Sequence, residues 1–121
     1  MQHASKAYAL IAKETASPRD LESLLLLKAA FKLQSVYDGW TDQPHGLDDA
    51  VLYNRRLWTV FLDSVCDETS SLPVSIRQNI ANIGIFVMTE TFSLMTNPQP
   101  SQLVPLININ RELAAGLRGN A

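Results

Sequence analysis

Apolar residues recur along this chain at three- and four-residue intervals, with no strand-like alternation, so helices are predicted throughout. The first strong start is Ser17-Pro18-Arg19-Asp20. Ser17 can cap free backbone N–H groups, Pro18 suits the first helical position, and Asp20 complements the helix dipole. From there to about Tyr37, Leu21, Leu24, Leu25, Lys28 and Phe31 share one stripe, and Leu26, Ala29, Ala30, Leu33 and Tyr37 share the next. So wide an apolar face predicts packing against two neighbours. Ahead of it, Tyr8, Leu10 and Ile11 can add a short helix over Ala4–Lys13, within a segment (1–16) placed to fray as chain ends do.

Turn residues Thr41, Asp42, Pro44 and Gly46 make 39–46 a loop, from which Trp40 is expected to fold back onto the core. A second helix is predicted over Leu47–Cys66, with Asp48 and Asp49 in its first turn. Its buried stripe reads Val51, Trp58, Phe61, Leu62 and Val65, widened by Leu52 and Leu57. After the polar break at 67–71, Pro73 opens a third helix to about Thr96. Ile76, Ile80, Ile83, Val87 and Leu94 follow one stripe, while Ile85, Phe86, Met88 and Phe92 cover much of the rest. A helix apolar on most sides is expected to be the central one. Gly84 in its middle costs about 1 kcal/mol of helix propensity, which suits a close approach by another helix.

Asn97-Pro98-Gln99-Pro100 ends that helix. Pro100 and a capping Ser101 start the last segment, where Pro105 can separate a short turn from the helix proper. Leu106, Ile107, Asn110, Leu113, Ala114 and Leu117 align on one face, with Gly116 and Gly119 as stops. Short connections favour antiparallel neighbours, so the prediction is an all-α, compact up-and-down bundle of four main helices. It forms a single domain over 1–121.

A hydrophobic fraction of 46% against 18% charged is a globular balance. The net charge of -2 argues against nucleic-acid binding, which usually needs a basic excess to neutralise phosphates. The longest apolar run, Ile83 to Met88, is broken by Gly84 and is far short of the ~20 residues of a membrane span. No signal peptide is read, and the cytoplasm is the expected location. A lone Cys66 cannot form an internal disulfide.

Enzyme chemistry finds no foothold. His3 and His45 have no carboxylate or cysteine at metal-ligand spacing, and no phosphate loop, nucleophile elbow or paired CxxC is present. Asp63, Asp67 and Glu68 read as solvated acids at a helix end. Cys66, next to Asp67 and Glu68, reads as a small buried or half-buried filler. Neither a catalytic residue nor a cofactor is expected.

The informative residues are polar ones inside apolar frames: Asn54-Arg55-Arg56 before Trp58, and Asn108 to Arg111 in the last helix. Asparagine competes for backbone groups and is poor inside a helix, so on a packed face it normally bonds to a neighbour. Asn54, Trp58, Asn108 and Asn110 could thus form an inter-helix network. Alternatively Arg55, Arg56 and Arg111 flank a groove that reads a partner's carboxylates or carbonyls. Trp40, Tyr53, Trp58 and Met88 are the apolar candidates for such an interface.

Asn54-Arg55-Arg56-Leu57-Trp58-Thr59-Val60-Phe61 resembles the hallmark motif of the FlaF family of flagellar biosynthesis regulators. Leu72-Pro73, Ile83-Gly84-Ile85-Phe86-Val87, Leu106 to Arg111, and Ala114 to Leu117 continue the similarity in order, from roughly Leu21 to Leu117. The resemblance implies an alphaproteobacterial regulator that matches flagellin production to export. Flagellin is the implied partner and FlbT the companion regulator. The family supplies no catalytic residues to carry over. Flagellin's terminal segments, which form helices only when packed, would suit a helix-in-groove site on a small bundle. Two other expectations stand beside that one: direct contact with flagellin mRNA, or action only through FlbT.

Overall fold

Proline and glycine punctuate the chain at each place where the hydrophobic phase restarts, and the helices fall between these breaks. The computed structural model describes residues 18–119. Helix α1 spans Pro18–Asp38, α2 Leu47–Cys66, α3 Val74–Thr96 and α4 Leu103–Leu117, with one 3-10 turn at Pro100–Gln102 ahead of α4. No strand occurs among the described residues. The expected helix over Ala4–Lys13, the Ser17 cap and His3 lie outside them.

Local chemistry explains the boundaries. Gly46 precedes α2 with φ 78°, a left-handed conformation that a side chain would strain. Pro73 stands before α3 in extended geometry. Gln99, rather than Ser101, caps the 3-10 turn, its backbone N–H donating to Gln102 Oε1 (3.0 Å). Pro105 does not divide the last segment. It sits in the first turn of α4, where backbone N–H groups have no intrahelical partner to lose.

Successive helices run in opposite directions. Lys32 late in α1 pairs with Asp49 early in α2 (3.3 Å), and Ser23 early in α1 donates to the Ala114 carbonyl late in α4 (2.8 Å). Helix α1 packs most extensively on α4, while α2 packs on both α1 and α3. The core runs through Leu26, Leu33, Trp58, Phe61, Val87, Leu103 and Leu106, and Trp40 does fold back against it.

Two burial expectations change. On α1 it is the second stripe that faces inward, through Leu26, Ala29, Ala30 and Leu33, whereas Phe31 and Tyr37 are exposed. Helix α3 is peripheral rather than central. Ile80, Val87 and Leu94 reach the core, but Val74, Ile76, Ile85, Phe86, Phe92 and Met95 face outward. Its substantial neighbour is α2 alone, so most of its surface has nothing to cover it.

Candidate functional site

The two asparagine motifs split into an inner and an outer set. On α2, Asn54 and Trp58 lie one turn apart and both point inward; Asn110 meets them from α4. Trp58 Nε1–H donates to Asn110 Oδ1 (2.9 Å), and Asn110 Nδ2 donates to Asn54 Oδ1 (2.7 Å). An indole N–H can only donate, so it turns the Asn110 oxygen toward itself. That leaves the Asn110 amide to donate to Asn54, and the Asn54 Nδ2 has no protein partner in the core. All three side chains are fully buried, and Phe61 packs edge-on to Trp58 at 5.4 Å between centroids. This polar relay fixes α4 against α2.

The remaining residues do not converge. Arg55 is exposed at the rim of a groove between α2 and α3, while Arg56 and Asn108 are exposed elsewhere. Arg111 is also exposed and donates to Gln34 Oε1 on α1 (3.2 Å). Trp58 is therefore core, not a surface anchor. Tyr53 is half-buried with Lys28 and Lys32 over its ring, 5.5 and 5.0 Å from the centroid. Burial pushes the Tyr53 hydroxyl pKa up, with Lys32 opposing the shift.

Sequence reading missed Ser23, which is buried and ties α1 to α4. It also missed the most conspicuous surface, the outer face of α2 and α3. Leu52, Arg55, Leu94 and Met95 line one depression there, and Thr59, Leu62, Cys66 and Met88 line a second. Cys66 is exposed, not a buried filler, because it lies on the outer side of α2 while its neighbour Val65 turns into the core. Beside the second depression the two helices come close. A Cβ built on Gly84 would lie 2.5 Å from Leu62 Cδ2 and 2.6 Å from Cδ1. The expectation for this glycine therefore holds.

Residues 4–117 match the family model described as flagellar protein FlaF. The chain belongs to the FlaF family. No curated protein and no solved structure matches it. The FlaF match covers nearly the whole chain, including the buried relay and the outer groove. Among the described residues of this FlaF-family chain, no cluster of His, Cys, Asp and Glu could hold a metal ion, and no helix is long and apolar enough to cross a membrane.

Two carboxylates have shifted equilibria at the α1–α2 base. Desolvation raises Glu22, with the Arg19 charge opposing it. Asp67 is lowered by hydrogen bonds from the Thr69 backbone N–H (2.8 Å) and hydroxyl (2.7 Å). Both shifts have local structural causes, and neither group faces the apolar surface.

Proposed function

We propose that this FlaF-family protein regulates flagellum assembly by coupling flagellin synthesis to secretion, holding flagellin as an export chaperone in the cytoplasm. It does so by binding, without catalysis. The observation that supports this reading is the uncovered apolar surface of α3, where Ile85 is 67% exposed, Phe92 70% and Met95 61%. Large contiguous apolar patches are uncommon on monomers and mark interaction sites. A groove between two antiparallel helices suits an amphipathic helix, whose apolar face would lie on α3 with its polar face in water. FlbT is the proposed companion in the same regulation.

Calorimetric titration with monomeric flagellin at two salt concentrations, with a flagellin RNA leader in parallel, tests the reading. Saturable flagellin binding, little weakened by salt, is expected, since apolar burial is not screened. Phe92→Asp should remove it while leaving the helical circular dichroism of the chain unchanged. Binding to RNA alone, falling steeply with salt, would move the function to message control. A stable complex with FlbT and no flagellin affinity would make the protein a subunit of that regulator.

A further inference from the structure

The outward apolar residues of α3 have a finer order than a patch requires. Gln78, Ala81, Ile85, Met88, Phe92 and Met95 follow one another at spacings of three, four, three, four and three. That is the heptad seam of a left-handed coiled coil, about 26 Å long at 1.5 Å per residue. None of its members belongs to the buried core: Gln78, Ile85, Phe92 and Met95 are exposed, and Ala81 and Met88 are half-covered. The residues facing the core (Ile80, Val87, Thr91 and Leu94) form a separate set. One helix thus presents two packing faces, and the bundle uses one.

We propose that the second face is covered by the same seam of a second copy, running antiparallel about a two-fold axis between Ile85 and Met88. Residue size sets the direction. In the antiparallel register Ala81, the smallest member of the seam, faces Phe92, the largest; Gln78 faces Met95, and Ile85 faces Met88. Each layer then carries a similar total volume, as close packing requires. A parallel pair would set Ala81 on Ala81, leaving a void, and Phe92 on Phe92, overfilling a layer.

Charge agrees with a partner identical to the chain itself. The only charged residues of α3 are Arg77 and Glu90, neither in the seam. The outer flank reads Asn82, Thr89 and Thr96, so two copies meet without like-charge repulsion and without charges that would select a different partner. Leu52 on α2, itself exposed, stands beside Met95 and widens the apolar contact. The dimer uses the face on which flagellin would bind, so the two compete, yet it does not depend on that reading.

Sedimentation of the full chain alone, over a range of concentrations, tests the dimer. A shift from one-copy to two-copy mass is expected. Ile85→Asp, which sets two carboxylates near the axis, should weaken it on the order of a hundredfold. Phe31→Asp, an equally exposed position on α1 outside the seam, should leave it intact. In a Cys66→Ser background, Ala81→Cys and Phe92→Cys chains should form mixed disulfides on oxidation and few with themselves. One-copy mass throughout, or a dimer indifferent to Ile85→Asp, would overturn the proposal even if flagellin binds. Self-linked Phe92→Cys pairs would overturn the antiparallel register.

Discussion

At residue scale, Trp58 carries more than volume. Its ring fills the middle of the core, and its N–H orients two amides on two helices. Trp58→Ala should cost roughly 3–5 kcal/mol of unfolding free energy in denaturant titration. Trp58→Phe retains most of the packing but leaves Asn110 Oδ1 buried without a donor. A cost of about 1–3 kcal/mol is expected there. Asn54→Ala and Asn110→Ala should be non-additive, because both act on one relay. Additive losses in a double-mutant cycle would mean that the amides contribute separately. The pattern of asparagines allowed an inter-helix network beside a binding groove. It settled neither the choice of Asn54 and Asn110 over the exposed Asn108 nor the direction of the bonds, which depends on the indole being only a donor. Ser23 was not foreseen: nothing in its sequence neighbourhood distinguishes a serine that bonds across to a carbonyl from one in water.

Glu22 gives the residue scale a pH signature. Its folded pKa lies above its ordinary 4.5 because burial disfavours the charged form. The folded state therefore holds the proton more tightly than the unfolded chain does. Its contribution to stability is present below pH 4.5 and is lost as pH rises through the raised value. Glu22→Gln should then melt higher than the natural protein near neutrality, with the gap closing in acid. A pH-independent gap would mean that the effect comes from packing instead.

At the scale of elements, the sequence placed helix ends well because capping and breaking residues act locally. Leu47, Cys66 and Thr96 stand where the pattern put them. Proline at 105 was the exception, since its effect depends on which turn it occupies. Gly84 joins two elements. Ordinarily Gly→Ala inside a helix gains about 1 kcal/mol, but here the added methyl meets both Leu62 methyl groups. Gly84→Ala should destabilise the protein by roughly 1–3 kcal/mol. In a Leu62→Ala background the same change should become stabilising, as read by thermal melts. Stabilisation in both backgrounds would show that Leu62 simply swings aside.

At the scale of the molecule, α1 and α4 pack on each other over a long contact, whereas α3 is held chiefly by α2. Few buried contacts mean a low local opening energy. Amide exchange of the protein at low concentration should therefore be faster in α3 than at Leu26–Leu33 of α1 or Leu106–Ala114 of α4. Uniform protection across all helices would indicate that α3 does not open separately.

The sequence by itself determined the all-α class, the limits of the helices and the close approach at Gly84, because each follows from the chemistry of a few neighbouring residues. Tertiary structure alone decided which faces are covered. A helix apolar on most sides reads as central, but periodicity records how much apolar surface it carries and not how many neighbours it has. In this bundle α1 packs on α4 and α2, and α3 joins the core through one face laid on α2. The other apolar face of α3 is left to whatever the protein binds, and that geometry exists only once the four helices have packed.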